Sequence, residues 1–457
     1  MLAKHSAAYS EFIVDLPLLV MLPFQTLSSP PLVSLPDTGS ETFSTHNKRK
    51  SGQPSMHVLV VGAGIVGCAT AYQLLRDGHT VELVDAQPQA GRMSSFANGA
   101  QLSYSYVAPL ASPDTLRALP KLLLEKDAAL HFEMRMDWRQ WLWGLRFLLA
   151  CRSTQAQRGT RTLLELAALS RHTLELWLKE EAWDIDFARN GKLVLCKDAA
   201  SLAQQTAQVR LQASMGSKQE LLTAEQCVAR EPALAAAGHA YAGGVWTESE
   251  CVADPFKLCQ QLVQRIAARG GKLRFSHQVE SVALRRGRFY ELQTSQTCLQ
   301  ADACVITAGA ATPALCEPLG IHLPIYPIKG YSLTLPILQP SKVARCSITD
   351  LASKTVFAPL GQTLRVAAAA ELVGHDLKIQ SHRVAQMLAA VEGLFPGACD
   401  LSQPVTWAGL RPATPTSLPI IGASRIPHLM INAGQGALGL TLAAGSAMRL
   451  SEALAQL

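Results

Sequence analysis

The sequence lacks the features of a membrane-spanning, metal-binding or disulfide-bonded protein. None of its apolar runs reaches the ~18 residues that a spanning helix requires, because charged residues or prolines interrupt each of them. The 12 histidines show no HxxxH spacing, and the 11 cysteines are odd in number with no CxxC pair. We therefore expect no spanning helix, no bound metal, and reduced cysteines that pack in the interior of a cytosolic protein.

Charge is also scarce and evenly spread. Charged residues make up 17% of the chain, and the formal net charge is +6. Lys and Arg are scattered rather than clustered, which argues against a nucleic-acid partner, whereas a mildly basic face is compatible with anionic lipid. The 457 residues are 48% hydrophobic, enough for two or three domains. The sequence predicts a cytoplasmic globular protein and leaves association with the inner face of the plasma membrane open.

Residues 1–55 do not have the pattern of a folded domain. They are rich in Ser, Pro and Leu, and the apolar stretch 12–24 is interrupted by Asp and Pro, so it makes a poor signal peptide. We expect a disordered extension or a mis-assigned start, with Met56 as the functional beginning. A targeting segment is the alternative.

A GxGxxG pattern at residues 62–67 lies between a predicted strand, 57–61, and a predicted helix that continues through 68–75. Its glycines permit a tight turn, close approach of a pyrophosphate and close helix–strand packing, and the helix N-terminus favours phosphate. A second predicted strand, 80–84, ends in Asp85, where a ribose hydroxyl is accepted in dinucleotide sites. The pattern therefore predicts a dinucleotide site. An ordinary glycine turn, the alternative, leaves Asp85 unexplained.

The region from residue 114 to 181 has helical periodicity and holds Trp138, Trp141 and Trp143 in one segment. The simple interpretation of these tryptophans is core packing. The alternative is an interfacial membrane contact, because Trp prefers headgroup depth and Arg139 and Arg146 flank the cluster.

The rest of the chain alternates between strand and helix patterns. The predicted elements are a small, polar, ligand-facing loop at 87–101, a strand at 191–196, helices within 202–236, a loop at 242–255, a helix at 256–269, a strand at 272–275, a hairpin through 285–287, a buried strand with a Gly turn at 303–311, and a largely antiparallel second sheet within 323–375.

A second glycine-rich turn, 432–440, follows a predicted C-terminal strand and leads into the last helix. Here the backbone again meets a helix N-terminus, about 370 residues from the first turn, as a ligand threaded through the whole fold requires.

Together these motifs resemble the FAD-dependent D-amino acid oxidase superfamily, and within it the bacterial D-amino acid dehydrogenase small subunits. The resemblance runs from Met56 to the C-terminus. The motifs that carry it are the glycine pattern 62–67, the loop 95–101 with 106–109 after it, the segments 326–332 and 409–412, and the glycine turn 434–445.

The resemblance implies an α/β fold with a discontinuous, Rossmann-like FAD/NAD(P)-binding domain and an inserted α+β substrate domain that carries a largely antiparallel sheet. The expected FAD-binding segments are 56–115, 253–320 and 405–457, and the expected substrate-domain segments are 116–252 and 321–404.

The implied reaction is oxidative deamination of a D-amino acid to a 2-oxo acid and ammonia, with electrons passed to a membrane quinone or another acceptor. A glycine- or sarcosine-type amine oxidase that uses oxygen, and a flavin-bearing protein without turnover, stay open as alternatives. An NAD-dependent dehydrogenase is disfavoured, because it leaves the second glycine turn without a role.

The resemblance also implies site residues. Arg411 would anchor the substrate carboxylate, since Arg forms bidentate, charge-assisted pairs. Tyr331 would close the pocket or hydrogen-bond substrate, with core packing as the alternative, and Gln435 stands in the flavin-side turn where the family often has His. Arg411, Tyr331 and Gln435 are the catalytic candidates.

The implied cofactor contacts lie around the glycine turns, the end of the second strand and the loop after it: Val60, Val61, Gly62, Ala63, Gly64, Ile65, Val66, Gly67, Asp85, Ser95, Asn98, Gln101, Val279, Ala308, Gly309, Gly436, Gly439 and Leu440. Val279 would contact adenine through its backbone. Gly436, Gly439 and Leu440 would place N–H groups near the pyrimidine edge of the flavin, where negative charge grows on reduction.

The chain departs from the family pattern at Thr416–Ser417, Gln435, Leu440, Ala367–Ala368 and Ser353. The glycines on which FAD binding depends are all present, so these departures bear on substrate preference rather than on the fold.

Overall fold

The computed structural model describes residues 55–124, 130–237, 241–285 and 289–457. Of the predicted N-terminal extension only Ser55 is described, so that prediction lies outside the described residues, as does most of the predicted hairpin turn through 285–287.

Twenty strands are present in the described ranges. In chain order they are β1 (His57–Val61), β2 (Thr80–Val84), β3 (Gln101–Leu102), β4 (Leu130–Phe132), β5 (Lys192–Cys196), β6 (Glu220–Thr223), β7 (Gly243–Thr247), β8 (Cys251–Val252), β9 (Lys272–Arg274), β10 (Val279–Arg285), β11 (Phe289–Thr294), β12 (Cys298–Ala301), β13 (Ala303–Ile306), β14 (Tyr326–Pro336), β15 (Ser347–Asp350), β16 (Thr355–Leu360), β17 (Thr363–Leu372), β18 (Val405–Ala413), β19 (Ile420–Ala423) and β20 (Leu429–Ala433).

The α-helices of the same ranges are α1 (Ile65–Arg76), α2 (Pro113–Leu124), α3 (Trp138–Ala150), α4 (Ser153–Glu180), α5 (Ala199–Ala213), α6 (Ala224–Arg230), α7 (Pro255–Ala268), α8 (Thr312–Cys316), α9 (Ser381–Leu394) and α10 (Gly439–Leu454). Local chemistry sets their ends. The carboxylate of Asp254, for example, accepts the N–H groups of Phe256 and Lys257 and so caps α7, with Pro255 in the first turn.

A six-stranded sheet forms the nucleotide-binding half, in the order β19-β20-β13-β1-β2-β9. Its strands are parallel except β19, which is antiparallel to β20. Alternate side chains of β1 face opposite sides, as a pleated strand requires. Val58 and Val60 pack with α1, α7 and α10, whereas Leu59 and Val61 pack with a three-stranded antiparallel sheet, β10-β11-β12.

A nine-stranded sheet forms the second half. Its main path is β18-β14-β17-β16-β15-β5-β7-β6, and β4 pairs with β17. The pairs β15–β5 and β17–β4 are parallel and the other neighbours are antiparallel. Tyr331, Leu333 and Leu335 of β14 pack in one core with α9. The opposite face of β14 lies against the loop after β2, where the hydroxyl of Ser332 donates to the carbonyl of Ala97.

The predicted fold class is confirmed, since a Rossmann-like sheet is joined to a largely antiparallel second sheet. The structure differs from the sequence interpretation in several places. The segment 242–255, expected as a loop, contains β7 and β8, because β7 pairs with the distant strand β5. The segment 405–413, expected in the FAD-binding domain, forms β18 and pairs with β14 over its whole length. The short strands β4 and β6 lie in segments that the sequence predicts as helical. Both have at most four residues, too few to establish a period of two against longer helical patterns.

All eleven cysteines lie among the described residues as free thiols, and ten of them are buried. This placement agrees with their expected role in packing. Among the residues that the structure describes, no helix combines the length and apolarity needed to cross a bilayer.

Candidate active site

Three glycine-containing turns meet at one edge of the six-stranded sheet. The strands β1, β13 and β20 are parallel neighbours, and each is followed directly by such a turn, at 62–67, 308–309 and 434–439. Carboxyl ends of parallel strands lie at the same edge, which is where open α/β sheets bind ligands. The first and last turns are thus two strands apart, although they are far apart along the chain.

The first turn is built for close packing on one side and left open on the other. Gly62 has φ +104 and its N–H donates to Val84 O at 2.8 Å. A Cβ on Gly67 would overlap the carbonyl oxygen of Gly62, whereas a Cβ on Gly64 would meet only the Oγ of Ser95, at 3.6 Å. Gly64 therefore exposes backbone at the N-terminus of α1, where a pyrophosphate is favoured.

Asp85 holds this turn in place. Its Oδ2 accepts the N–H of Ala63 at 2.5 Å, and its Oδ1 accepts the N–H of Gln87 at 2.7 Å. Burial raises the pKa of the carboxyl, and the two backbone N–H groups act in the opposite direction. The Asp85 carbonyl accepts the N–H of His277, two residues before the half-buried Val279, so the end of β2 and the start of β10 are neighbours.

The other two turns border open space. A Cβ built on Gly309, Gly436 or Gly439 would meet no described atom within 4 Å, and the first two have φ +56. Gly436 opens a short 3-10 helix, and Gly439 opens α10. The residues present fit a dinucleotide, because a helix N-terminus and bare backbone face free volume on both sides of β13.

The flanking apolar candidates support the turns rather than project into open space. Val60, Val61, Ile65 and Leu440 are each at most 5% exposed, and Val66 and Ala308 are half-buried against the same cores. Their predicted cofactor contacts can come only from backbone groups or from van der Waals packing.

The loop after β2 connects the two sheets. The Oγ of Ser95 accepts the N–H of Ile65 at 3.0 Å, in the first turn of α1, and the hydroxyl of Ser94 donates to Leu410 O at 2.5 Å, next to Arg411. Asn98 folds back, since its Oδ1 accepts the N–H of Ala100 at 2.8 Å. This loop therefore lies between the first glycine turn and the strand that carries Arg411.

Gln101 takes part in a buried polar cluster that the sequence does not reveal. The Nζ of Lys192 donates to the Oε1 of Gln101 at 2.9 Å and to the Oγ of Ser103 at 3.0 Å, and it lies 4.3 Å from the ring centre of Tyr106. Glu250 lies nearby and accepts the N–H groups of residues 105 and 106. Burial lowers the pKa of Lys192 to about 8, an effect that Glu250 opposes, and burial raises the pKa of Glu250.

Arg411 is half-buried on β18. Its NH1 donates to Ala369 O at 2.9 Å and to Lys329 O at 3.4 Å. A Cβ on Gly330 would overlap the guanidinium, so this glycine gives Arg411 its place on the sheet. Among the described residues no carboxylate lies within ion-pair distance of Arg411, and burial lowers the pKa of the guanidinium to about 10.

The acceptor on Ala369 depends on a bulge. Ala369 has φ +62, and the register between β14 and β17 shifts at this point. Two residues on, Glu371 accepts the hydroxyl of Tyr331 at 2.7 Å and the Nε of Arg383 at 2.9 Å. The bulge aims a carbonyl at Arg411, and the buried network behind it fixes the strand. Sequence reasoning misses this network because its members are joined only by the sheet register.

The placement of Tyr331 does not support its predicted contact with the substrate. The side chain is 1% exposed, packs in the core under α9, and donates its hydroxyl to Glu371. Arg411 lies against Gly330, on the opposite face of β14. Tyr331 is thus a core residue, which is the alternative that the sequence analysis left open.

Gln435 is placed next to Arg411's strand. It bridges to Ala413, at the end of β18, and its Nε2 donates to the Oδ1 of Asn432 at 2.7 Å. Asn432 in turn donates to Thr70 of α1 at 3.1 Å. Gln435 is 3% exposed, so it positions the second glycine turn. Its catalytic role stays a prediction.

A Rossmann-like sheet with open glycine turns, connected by the loop after β2 to an antiparallel sheet that carries Arg411, is typical of dinucleotide-dependent oxidoreductases. No cluster of three or more His, Cys, Asp or Glu in the described ranges is arranged to hold a metal ion. The family model "FAD dependent oxidoreductase" (DAO) matches residues 57–453, and the chain belongs to that family. Its cofactor is FAD.

The relatives are similar along nearly their whole length. D-amino acid dehydrogenase 2 of Ralstonia nicotianae is 43% identical over 412 residues, covering 88% of this chain and 97% of the relative. The protein of the same name from Pseudomonas aeruginosa is 42% identical over 405 residues, covering 87% and 94%. The crystal structure of glycine oxidase from Geobacillus kaustophilus superposes with a TM-score of 0.67 at 19% identity, covering 88% and 95%, which is a likeness of fold.

Proposed function

We propose that this chain catalyses the oxidative deamination of D-amino acids to 2-oxo acids and ammonia. The observation that carries the proposal is the Arg411 guanidinium, which is half-buried and lacks a carboxylate partner among the described residues. The loop after β2 connects its strand to the first of the open glycine turns. Such a group favours a carboxylate that arrives with the substrate. The names of the two relatives, both D-amino acid dehydrogenases, supply the substrate class.

The residues of this chain mainly orient the reactants. Arg411 would take the substrate carboxylate and so fix the direction of the Cα–H bond, which lowers the entropic cost of reaching the reactive geometry. Bound FAD supplies the acceptor for the α-hydrogen and its electron pair. The 3-10 helix that starts at Gly436 and α10, which starts at Gly439, would place backbone and the positive end of the helix dipole near the charge that develops there.

We propose further that the electrons go to a quinone-type acceptor and that the enzyme works in the cytoplasm at the inner face of the plasma membrane. The support is the word dehydrogenase in the relatives' names, together with the net charge of +6, which favours an anionic surface.

The test is to load the full chain with FAD and mix it with D-amino acids and their L-enantiomers in the absence of oxygen. Bleaching of the flavin by D-alanine and other D-amino acids, with release of ammonia, is expected, and L-alanine is expected to leave the flavin oxidised. Bleaching by L-enantiomers alone, or by no amino acid, contradicts the proposal, and the latter result indicates a flavoprotein without turnover.

The acceptor is tested separately in air. Reduction of a soluble quinone analogue that is much faster than release of hydrogen peroxide is expected. Stoichiometric peroxide without quinone reduction, with glycine or sarcosine as the better substrate, would instead support an amine oxidase.

A further inference from the structure

Helix α3 exposes a continuous row of large apolar side chains. Trp138, Trp141, Leu145, Leu148 and Leu149 are 59%, 52%, 48%, 41% and 52% exposed. Their spacing of three or four residues places them on one side of the helix. Met134 and Met136, just before it, are also exposed. These seven residues form what we call the α3 face.

The opposite side of α3 is buried against the second sheet. Trp143 and Phe147 are buried, and their rings stack with centres 5.3 Å apart. They pack with Tyr326 and Ile328 of β14, and the indole N–H of Trp143 donates to Ala413 O at 2.8 Å. The buried side already supplies the helix with its core contacts, so the α3 face is an outward surface. Trp143 is therefore a core residue, as the packing interpretation of the three tryptophans predicts, whereas Trp138 and Trp141 are exposed.

The α3 face has more basic than acidic residues along it. The segment 134–152 contains four arginines and one acidic residue, Asp137, whose carboxylate caps the helix. Arg139 also pairs with Glu317. Indole rings favour the depth of lipid headgroups, and arginines beside an apolar helix face attract anionic headgroups.

We propose that the α3 face docks on an anionic lipid bilayer, with Trp138 and Trp141 at headgroup depth. Lipid is favoured over a second copy of this chain because a two-fold contact through α3 would bring the same set of arginines from both copies together. It is favoured over a folded protein partner because the apolar side chains project from a convex helix rather than line a groove.

This proposal rests on the proposed function and says which surface of the enzyme would face the membrane that holds the quinone-type acceptor. The buried side of α3 contacts β14 and β18, the two strands that position Arg411. A helix with its side chains is about 10 Å across. Docking would therefore bring lipid to within about one helix diameter of the substrate sheet, a short path for an acceptor dissolved in the bilayer.

The experiment compares binding of the FAD-loaded full chain to vesicles of phosphatidylcholine alone and of phosphatidylcholine with phosphatidylglycerol. The test variant is Leu145→Glu/Leu149→Glu, because Glu suits an exposed helix position and should leave the fold intact. The matched control is Leu338→Glu/Leu457→Glu, since these leucines are 62% and 58% exposed elsewhere on the molecule.

Binding of the parent and the control to the anionic vesicles is expected, with at least a tenfold loss in the test variant and weak binding to neutral vesicles. D-alanine-dependent dye reduction without vesicles should be equal in all three proteins, so a failure of the proposed function is seen independently of vesicle binding. A parent that does not bind, or a test variant that binds like the control, overturns the proposal. So does a parent that dimerises in light scattering while the test variant is monomeric and neither binds lipid.

Discussion

At the scale of single residues, Arg411 is a cation whose described neighbours offer carbonyl oxygens and no carboxylate. Burial lowers its pKa to about 10, so the group is still protonated near neutral pH but lacks a counter-charge. In the proposed function the substrate carboxylate would supply this counter-charge, so that binding would also neutralise the guanidinium.

Replacing Arg411 with Met or with Lys should therefore damage the reaction without removing the cofactor. Loss of one partner of a buried ion pair costs about 3–5 kcal/mol, which corresponds to roughly 10²- to 4 × 10³-fold in kcat/KM. Lys keeps the charge but cannot make the two-point contact, so we expect only partial recovery. The measurement is the anaerobic rate of flavin reduction by D-alanine, together with FAD absorbance per chain. Parent-like kinetics in the Met variant would contradict the assigned role.

Lys192 gives a second prediction, on pH. Its pKa of about 8 in the folded protein lies below the ~10.4 of an exposed lysine. Between these two values the unfolded chain binds more protons, so the contribution of this residue to stability rises with pH through that window, and its cost is fully present below about pH 8.

Unfolding by urea at pH 7.5 and at pH 10 should therefore show the parent gaining stability relative to Lys192→Met as the pH rises. The exposed Lys218→Met serves as the control, and its difference from the parent should not change with pH. An identical pH dependence in parent and Lys192→Met would show that the ammonium is not buried as described.

Residue-scale prediction succeeds where a motif is local and fails where the sheets bring distant residues together. Asp85 and the glycines could be predicted because a strand and a helix lie directly beside them. The contact between Lys192 and Gln101 joins positions 91 residues apart, and Glu371 meets Tyr331 through a strand register. A single sequence has no local signal for either contact.

At the scale of elements, α10 shows two different uses of glycine on one helix. A Cβ on Gly439 would meet no described atom within 4 Å, whereas a Cβ on Gly445 would lie 2.7 Å from Leu166 O and 2.8 Å from Ser170 N, both on α4. The first position borders the proposed flavin site, and the second permits two helices to cross closely.

We expect Gly439→Leu to fold with a thermal midpoint near that of the apo-parent but to bind FAD at least tenfold more weakly, because the new side chain occupies the ligand's volume. Gly445→Leu should lower the stability of the apoprotein itself, since overpacking costs about 1–3 kcal/mol. Calorimetry of the apoproteins and FAD titration by fluorescence quenching measure the two effects. Equal FAD affinity in Gly439→Leu and the parent would show that the cofactor does not lie at the start of α10.

The elements that the sequence predicts are the ones with strong local patterns, such as β1, α1, α7 and β20. The sequence could not predict which sheet contains β18. Its residue Arg411 lies close to the second glycine turn in sequence, but the strand pairs with β14 in the nine-stranded sheet. Sheet membership is decided by pairing between distant segments, which periodicity does not contain.

At the scale of the whole molecule, the two sheets are connected through the loop after β2, whose side chains bond both to α1 and to β18. The fold class followed from the family that the motifs resemble, and the order of strand and helix patterns agreed with it. The domain boundaries stay predictions, apart from 405–413, which belongs to the second sheet.

Because FAD would contact segments from both ends of the described chain, it should stabilise the molecule as a unit. At about 100 times its dissociation constant a ligand adds about 2.7 kcal/mol. With an unfolding entropy of about 2.1 cal/mol/K per residue over roughly 400 residues, this raises the thermal midpoint by roughly 3 °C. Scanning the apo-parent with and without FAD checks this, with Gly439→Leu as the variant that should respond less at the same FAD concentration. No shift in the parent would contradict a site shared by the two turns.

The neighbourhood of β1, β13 and β20 has a consequence for biosynthesis. Along the chain, β1 and the first glycine turn come long before β20 and α10, so the ribosome makes the two walls of the nucleotide pocket at different times. A nascent chain therefore lacks one wall of the FAD site until α10 has left the exit tunnel, and a chain truncated before α10 should be purified colourless.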